Sequence, residues 1–240
     1  MVSLLKSKFY LPKIIKMNTK ENIINLLKEK AGTKQKVYII TKEVFADIQD
    51  VLVEIANKLN KEISNTNISI MYEESGDYDA QLKFSGDTLL FNMHTNIFDF
   101  NSAHKIHKSK YVKEDNLRSF CGIINIYNFL SDSLKYNRLN DVGFLIARIF
   151  INKDKKFFVE GEKQLGFLFN DFENQDINKA HLINIINNAI NYSLNFDLQT
   201  PNFNDVKVVS VNQVLNLNNN HKIRTAKRLG FKLSNETNNQ

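Results

Sequence analysis

Apolar residues recur at two spacings along this chain, and the changes of spacing divide it into elements. Val44, Ile48, Val51, Leu52, Ile55 and Leu59 lie three and four apart, which predicts an amphipathic helix over 42–60. Ile23, Ile24 and Leu27 repeat the pattern over 19–30, with Thr19 as N-cap. Lys36–Ile40 (KVYII) reads either as a short strand or as the start of the next helix. The period then falls to two. Ile68–Glu73 reads as a strand, and the segment after it as a hairpin turning at Ser85-Gly86-Asp87. In the first arm Leu82 and Phe84 share one face, and Asp79, Gln81, Lys83 and Ser85 the other. In the second arm Leu89, Phe91, Met93 and Ile97 alternate with Leu90, Asn92, His94 and Asn96.

Residues 99–114 read as a long polar loop. Leu117, Phe120, Ile124, Tyr127, Leu130 and Leu134 predict a helix over 117–136, capped by Asp115 or Asn116, with Gly122 marking close packing or a weak point inside it. Strands over 142–152 and 155–160 flank a turn at Asn152-Lys153-Asp154-Lys155, and Gln164–Phe172 (QLGFLFNDF) reads as another strand. Asp176 caps a helix over 178–195 whose core side carries Leu182, Ile185, Ile186, Ala189 and Ile190. Val206–Val214 (VKVVSVNQV) reads as a last strand. Successive strands joined by tight turns pair antiparallel. The expectation is an α+β fold: a mainly antiparallel sheet of about six or seven strands with packing helices.

The charge refines this picture. The formal net charge of +6 is made of +4 in residues 1–16, +4 in residues 221–240 and −2 between them. The organisation expected is a basic N-terminal extension (1–16), one α+β domain (17–220) and a basic C-terminal tail (221–240). The single cysteine, Cys121, excludes an intramolecular disulfide and any cysteine-rich metal site, and fits a reducing, cytoplasmic setting. No apolar run approaches the roughly 20 residues that span a bilayer. Asparagine is so frequent, at 34 residues, that a single Asn carries little weight as a site marker.

Candidate chemistry is sparse. Asp79, Gln81, Lys83, Asn92 and His94 form one polar face of the hairpin. Lys105, Lys108 and Lys110 lie in the polar loop with His104 and His107, where ammonium groups attract phosphate without demanding exact geometry. Lys222, Arg224, Lys227 and Arg228 supply the same chemistry in the tail. The histidines lack a metal-binding motif, no nucleotide-binding glycine motif occurs, and neither a cofactor nor a metal is expected. Cys121 reads as a small core residue.

The order helix, three strands, helix over 42–136 is similar to the core of the PD-(D/E)xK nucleases. Asp79 matches the position of that family's Asp, and Glu54 offers a second carboxylate. The later triplet is Asn92-Met93-His94, without the family's Glu and Lys. The resemblance implies a divalent-metal-dependent nuclease or phosphodiesterase with a degenerate site. The leading expectation is a non-catalytic binding or scaffold protein that contacts nucleic acid, or an acidic protein, through its basic ends and lysine-rich loop. A protein–protein interaction module is the third reading.

Overall fold

The computed structural model describes residues 19–64, 67–139, 141–197 and 199–212. Its centre is a six-stranded antiparallel sheet: β1 (Ile70–Glu74), β2 (Asp79–Phe84), β3 (Asp87–Met93), β4 (Cys121–Leu130), β5 (Phe144–Asn152) and β6 (Phe157–Gly161). The spatial order of the strands is their chain order, so every strand lies beside its sequence neighbours. The α+β reading and the antiparallel sheet hold.

One face of the sheet is covered by two long helices, α2 (Gly32–Glu62) and α6 (Lys179–Leu194). An N-terminal helix, α1 (Thr19–Leu26), runs into α2 through a single π-helical segment, Leu27–Ala31. KVYII is therefore helical. No glycine or proline interrupts residues 33–62, so the helix continues until Ile63 turns extended. Val44, Ile48, Val51, Leu52 and Ile55 are buried as their spacing requires, against Leu82, Leu89, Phe91, Ile124 and Ile149 of the strands. Asn60, near the end of α2, pairs both backbone groups of Ile70 in edge strand β1: Ile70 N donates to Oδ1 (3.0 Å) and Nδ2 donates to the Ile70 carbonyl (2.6 Å). At the other edge, β6 is bordered by the segment after it. Val159 N donates to the Phe169 carbonyl (2.7 Å), Phe157 N to that of Gln175 (3.2 Å), and Lys156 bridges Asp176.

The structure corrects several expectations. Residues 117–136 do not form a helix; they form the last part of a loop, strand β4 and the short α4 (Ser131–Lys135). β4 is central and covered on both faces, with Ile124 and Ile126 toward the helices and Cys121 and Ile123 away from them. A strand buried on both sides loses its alternation and mimics a helical stripe. Gly122 does mark a close approach: a Cβ there would lie 2.0 Å from Thr41 Oγ1, so α2 rests directly on β4. QLGFLFNDF holds a short helix, α5 (Gln164–Leu168), not a strand, and only Phe169 bonds to β6. The N-cap of α6 is Asn178, whose side chain accepts from His181 N (2.9 Å), not Asp176. Phe203–Val206 is helical (α7), and no strand forms in 206–212; the end of that expected strand lies outside the described residues.

The polar loop before β4 is ordered structure. It contains a 3-10 turn (Lys105–Lys108), α3 (Lys110–Glu114) and a second 3-10 turn (Asn116–Ser119). Ile106 and Val112 are buried in it and form, with Cys121, Ile123, Phe150, Phe158 and Phe172, a second core on the outer face of the sheet. No helix among the described residues is long and apolar enough to cross a membrane.

Candidate functional site

The lysine loop is held by one buried asparagine. Asn152 closes β5, is fully buried, and uses both ends of its amide. Its Oδ1 accepts from Asp154 N (3.0 Å) and Lys156 N (3.1 Å), which shapes the β5–β6 turn. Its Nδ2 donates to Tyr111 Oη (2.9 Å) and to the Arg118 carbonyl (3.2 Å), which ties that turn to the loop. Tyr111 Oη donates in turn to Asp154 (2.8 Å), and burial pushes the Tyr111 phenol above its usual range. Arg118 stacks over the Tyr111 ring at 4.3 Å and donates to Asp154 (3.1 Å). Asp115 caps the second 3-10 turn, accepting from Leu117 N (3.0 Å), and also pairs with Lys153, whose ammonium holds its carboxyl below the ordinary range.

On this platform Lys105, Lys108, Lys110 and Lys113 are exposed. Lys105 reaches Asn170 Oδ1 (3.2 Å), and none of the four makes an ion pair with a described acid. Residues 102–113 contain these four lysines and no carboxylate. The tail residues Lys222, Arg224, Lys227 and Arg228, and the extension 1–16, lie outside the described residues.

The hairpin face is where alternation puts it, on the outer side of the sheet and half-buried. Asn92 Nδ2 donates to Asp79 Oδ1 (2.7 Å) across β2 and β3. Gln81 donates to Ser75 Oγ (2.9 Å), and Lys83 stands opposite Thr88. The strand register extends this face beyond the hairpin. Asp79 is opposite Asn92, Asn92 opposite Asn125, Asn125 opposite Arg148, and Arg148 opposite Glu160. Five strands thus carry one polar row. Asp79 and Asn92 pair at one end, and Arg148 and Glu160 at the other (2.5 Å). Sequence reasoning missed Asn125, Arg148 and Glu160. The signal for the last two was available: they are equidistant from the β5–β6 turn and oppositely charged.

A cleft of about 470 Å3 opens over the row between the sheet and residues 98–104. Asn125, Tyr127 and Arg148 line its sheet side. Its walls are two aromatic pairs. His94 meets Phe98 edge-on, centroids 4.7 Å apart, and His104 stacks on Phe100 at 4.7 Å. The structure therefore brings His94 and His104 to one cleft, although they belong to different elements. His107 points elsewhere, with Nε2 3.1 Å from the Phe100 carbonyl. The ring nitrogens of His94 and His104 accept from the backbone N–H of Asn96 (3.0 Å) and Ile106 (3.3 Å), so both rings are oriented by their own loops. The described residues contain no group of three or more His, Cys, Asp or Glu that could hold a metal ion. Cys121 is fully buried and burial raises its thiol well above the usual range, as for a core residue.

No protein-family model, curated protein or solved structure matches the chain.

Proposed function

We propose that this protein binds nucleic acid without cleaving it, using the lysine loop as its phosphate contact. One observation carries the reading. Four exposed lysines, Lys105, Lys108, Lys110 and Lys113, stand without acidic partners on a segment that Ile106, Val112 and the Asn152 hydrogen bonds fix in place. Lysines carried on an anchored backbone bind phosphates with less ordering entropy than those of a loose loop. The basic ends add eight net positive charges by sequence. Asp79 pairs with Asn92, and among the described residues it belongs to no group of three His, Cys, Asp or Glu that could hold a metal ion. Moreover, the element order behind the nuclease resemblance does not form, because residues 121–130 are a strand.

The test is fluorescence anisotropy of the full chain with labelled single-stranded RNA and DNA of mixed sequence, across a range of salt. Binding is expected to weaken steeply with salt. Replacing Lys105, Lys108, Lys110 and Lys113 by Gln is expected to flatten the log–log salt slope by about 3, the release of four contacts on a single strand. Unchanged affinity and slope in this variant, or no binding at low salt, would overturn the proposal.

A further inference from the structure

We infer that the outer-face cleft takes one unpaired nucleobase, gripped at its edge by the side-chain amide of Asn125. The starting point is an imbalance within the polar row. Its two ends are internally paired, Asp79 with Asn92 and Arg148 with Glu160, while the residue between them is not. Asn125 is only 9% exposed, yet its side chain makes no hydrogen bond to a described residue. Buried polar groups in folded proteins are almost always partnered. Asn128, on the same strand, has its Oδ1 sealed away without a partner, whereas Asn125 borders the cleft. The surface that its amide retains is therefore presented to whatever enters.

The shape and chemistry of the cleft narrow the occupant. A primary amide offers one donor and one acceptor side by side, and its natural complement is a ring edge with the same pair reversed. The walls, His94 with Phe98 and His104 with Phe100, are aromatic and suit a flat ring. The volume is of the size that holds a small organic ligand. Arg148 is neutralised by Glu160, so the interior does not favour a phosphate. The proposed phosphate contact lies next door: Lys105 lines an adjoining hollow that shares Glu160 with the cleft. An aromatic slot lined by Asp99 and the Arg148–Glu160 pair, with Lys105 beside it, divides a nucleotide in two, base in the slot and backbone on the rim. The source of the base rests on the proposed nucleic-acid function; the grip of Asn125 on a ring edge does not.

The experiment separates the two. Adenosine, guanosine, cytidine and uridine, which lack phosphate, are titrated at millimolar concentration into the isotope-labelled full chain while the Asn125 side-chain amide is followed by NMR. Adenosine is expected to shift that resonance, since its N6 and N7 match an amide. Asn125→Leu is expected to weaken nucleoside binding roughly tenfold, and the four-lysine variant to leave it unchanged. Asn125→Leu forfeits no internal hydrogen bond and is expected to fold. Asn125→Asp, which keeps the size and loses the donor, is expected to weaken nucleoside binding too; binding to both variants is read from the backbone amides of Tyr127 and Arg148, which line the cleft. If no nucleoside perturbs the resonance, and if both variants bind single-stranded RNA as the parent does, the inference is overturned. The lysine proposal would then still stand on its own salt slope. Nucleoside binding that survives both substitutions overturns it equally.

Discussion

The two faces of the sheet are built from alternate residues of the same strands, yet they solve different problems. On the helix face Leu82, Leu89, Phe91, Ile124 and Ile149 meet α2 and α6, and their burial removes apolar surface from water over the whole length of the sheet. On the outer face the loop that carries Ile106 and Val112 covers one end, and Ser131 bonds to the buried Thr88 at another. The rest presents Asp79, Asn92, Asn125, Arg148 and Glu160 in a row. The helix face is held by non-directional packing, which tolerates little loss of volume. The outer face adds to its smaller apolar core directional bonds that converge on a few polar residues, chiefly Asn152, and it borders the cleft.

This difference can be tested by substitution on each side. Leu52→Ala removes a fully buried side chain from α2. It is expected to lower stability by about 3 kcal/mol in urea denaturation, through lost transfer energy and the cavity left behind. Asn152→Leu strikes the outer face at its hub. It strips partners from two backbone N–H groups and one carbonyl, for an expected loss of about 2 kcal/mol. In the same variant, amide exchange is expected to quicken in residues 105–119 more than in α2. Equal acceleration in both would erase the distinction between the faces.

The smallest effect is electrostatic. Asp115→Asn keeps the cap on Leu117 N and removes the charge that pairs with Lys153. The folded-state pKa of Asp115 is lowered, so its contribution is present above the unfolded carboxylate pKa and is lost as pH falls through the folded value. At neutral pH the variant is expected to be less stable by about 0.5 kcal/mol, a figure reduced by the solvent that reaches the carboxylate. The gap should close in acid, as urea midpoints across pH would reveal. A gap that persists unchanged below the folded pKa would locate the effect in the cap rather than in the charge.

The helix face was largely legible in the sequence because one-sided burial writes a period. The stripe Val44–Ile48–Val51–Leu52–Ile55 and the alternation in β2 and β3 placed α2 and the hairpin correctly. β4 was illegible for the opposite reason. With Cys121 and Ile123 buried on one side and Ile124 and Ile126 on the other, its pattern carries no face at all. Losing β4 also hid the site. Asp79 and Asn92 could be aligned within one hairpin, but Asn125 joins them only through the β3–β4 register, across a segment of 27 residues with its own core. Among 34 asparagines, nothing local distinguishes Asn125 from its neighbours. What sets it apart is its position between two satisfied pairs, a property of the sheet and not of the chain.

The clamp of Asn60 on Ile70 and the chain bordering β6 have a consequence for association. An open sheet normally offers its outermost strands as templates for further pairing, the route by which sheets aggregate or recruit extended peptides. Here one rim is occupied by Phe169, Gln175 and Asp176 of the same chain. The other is five residues long, carries Glu73 and Glu74, and has Ile70 already engaged. Lengthening the sheet is thus discouraged at both ends, and the nucleic-acid contact proposed above is one made broadside, through side chains, and not by an added strand.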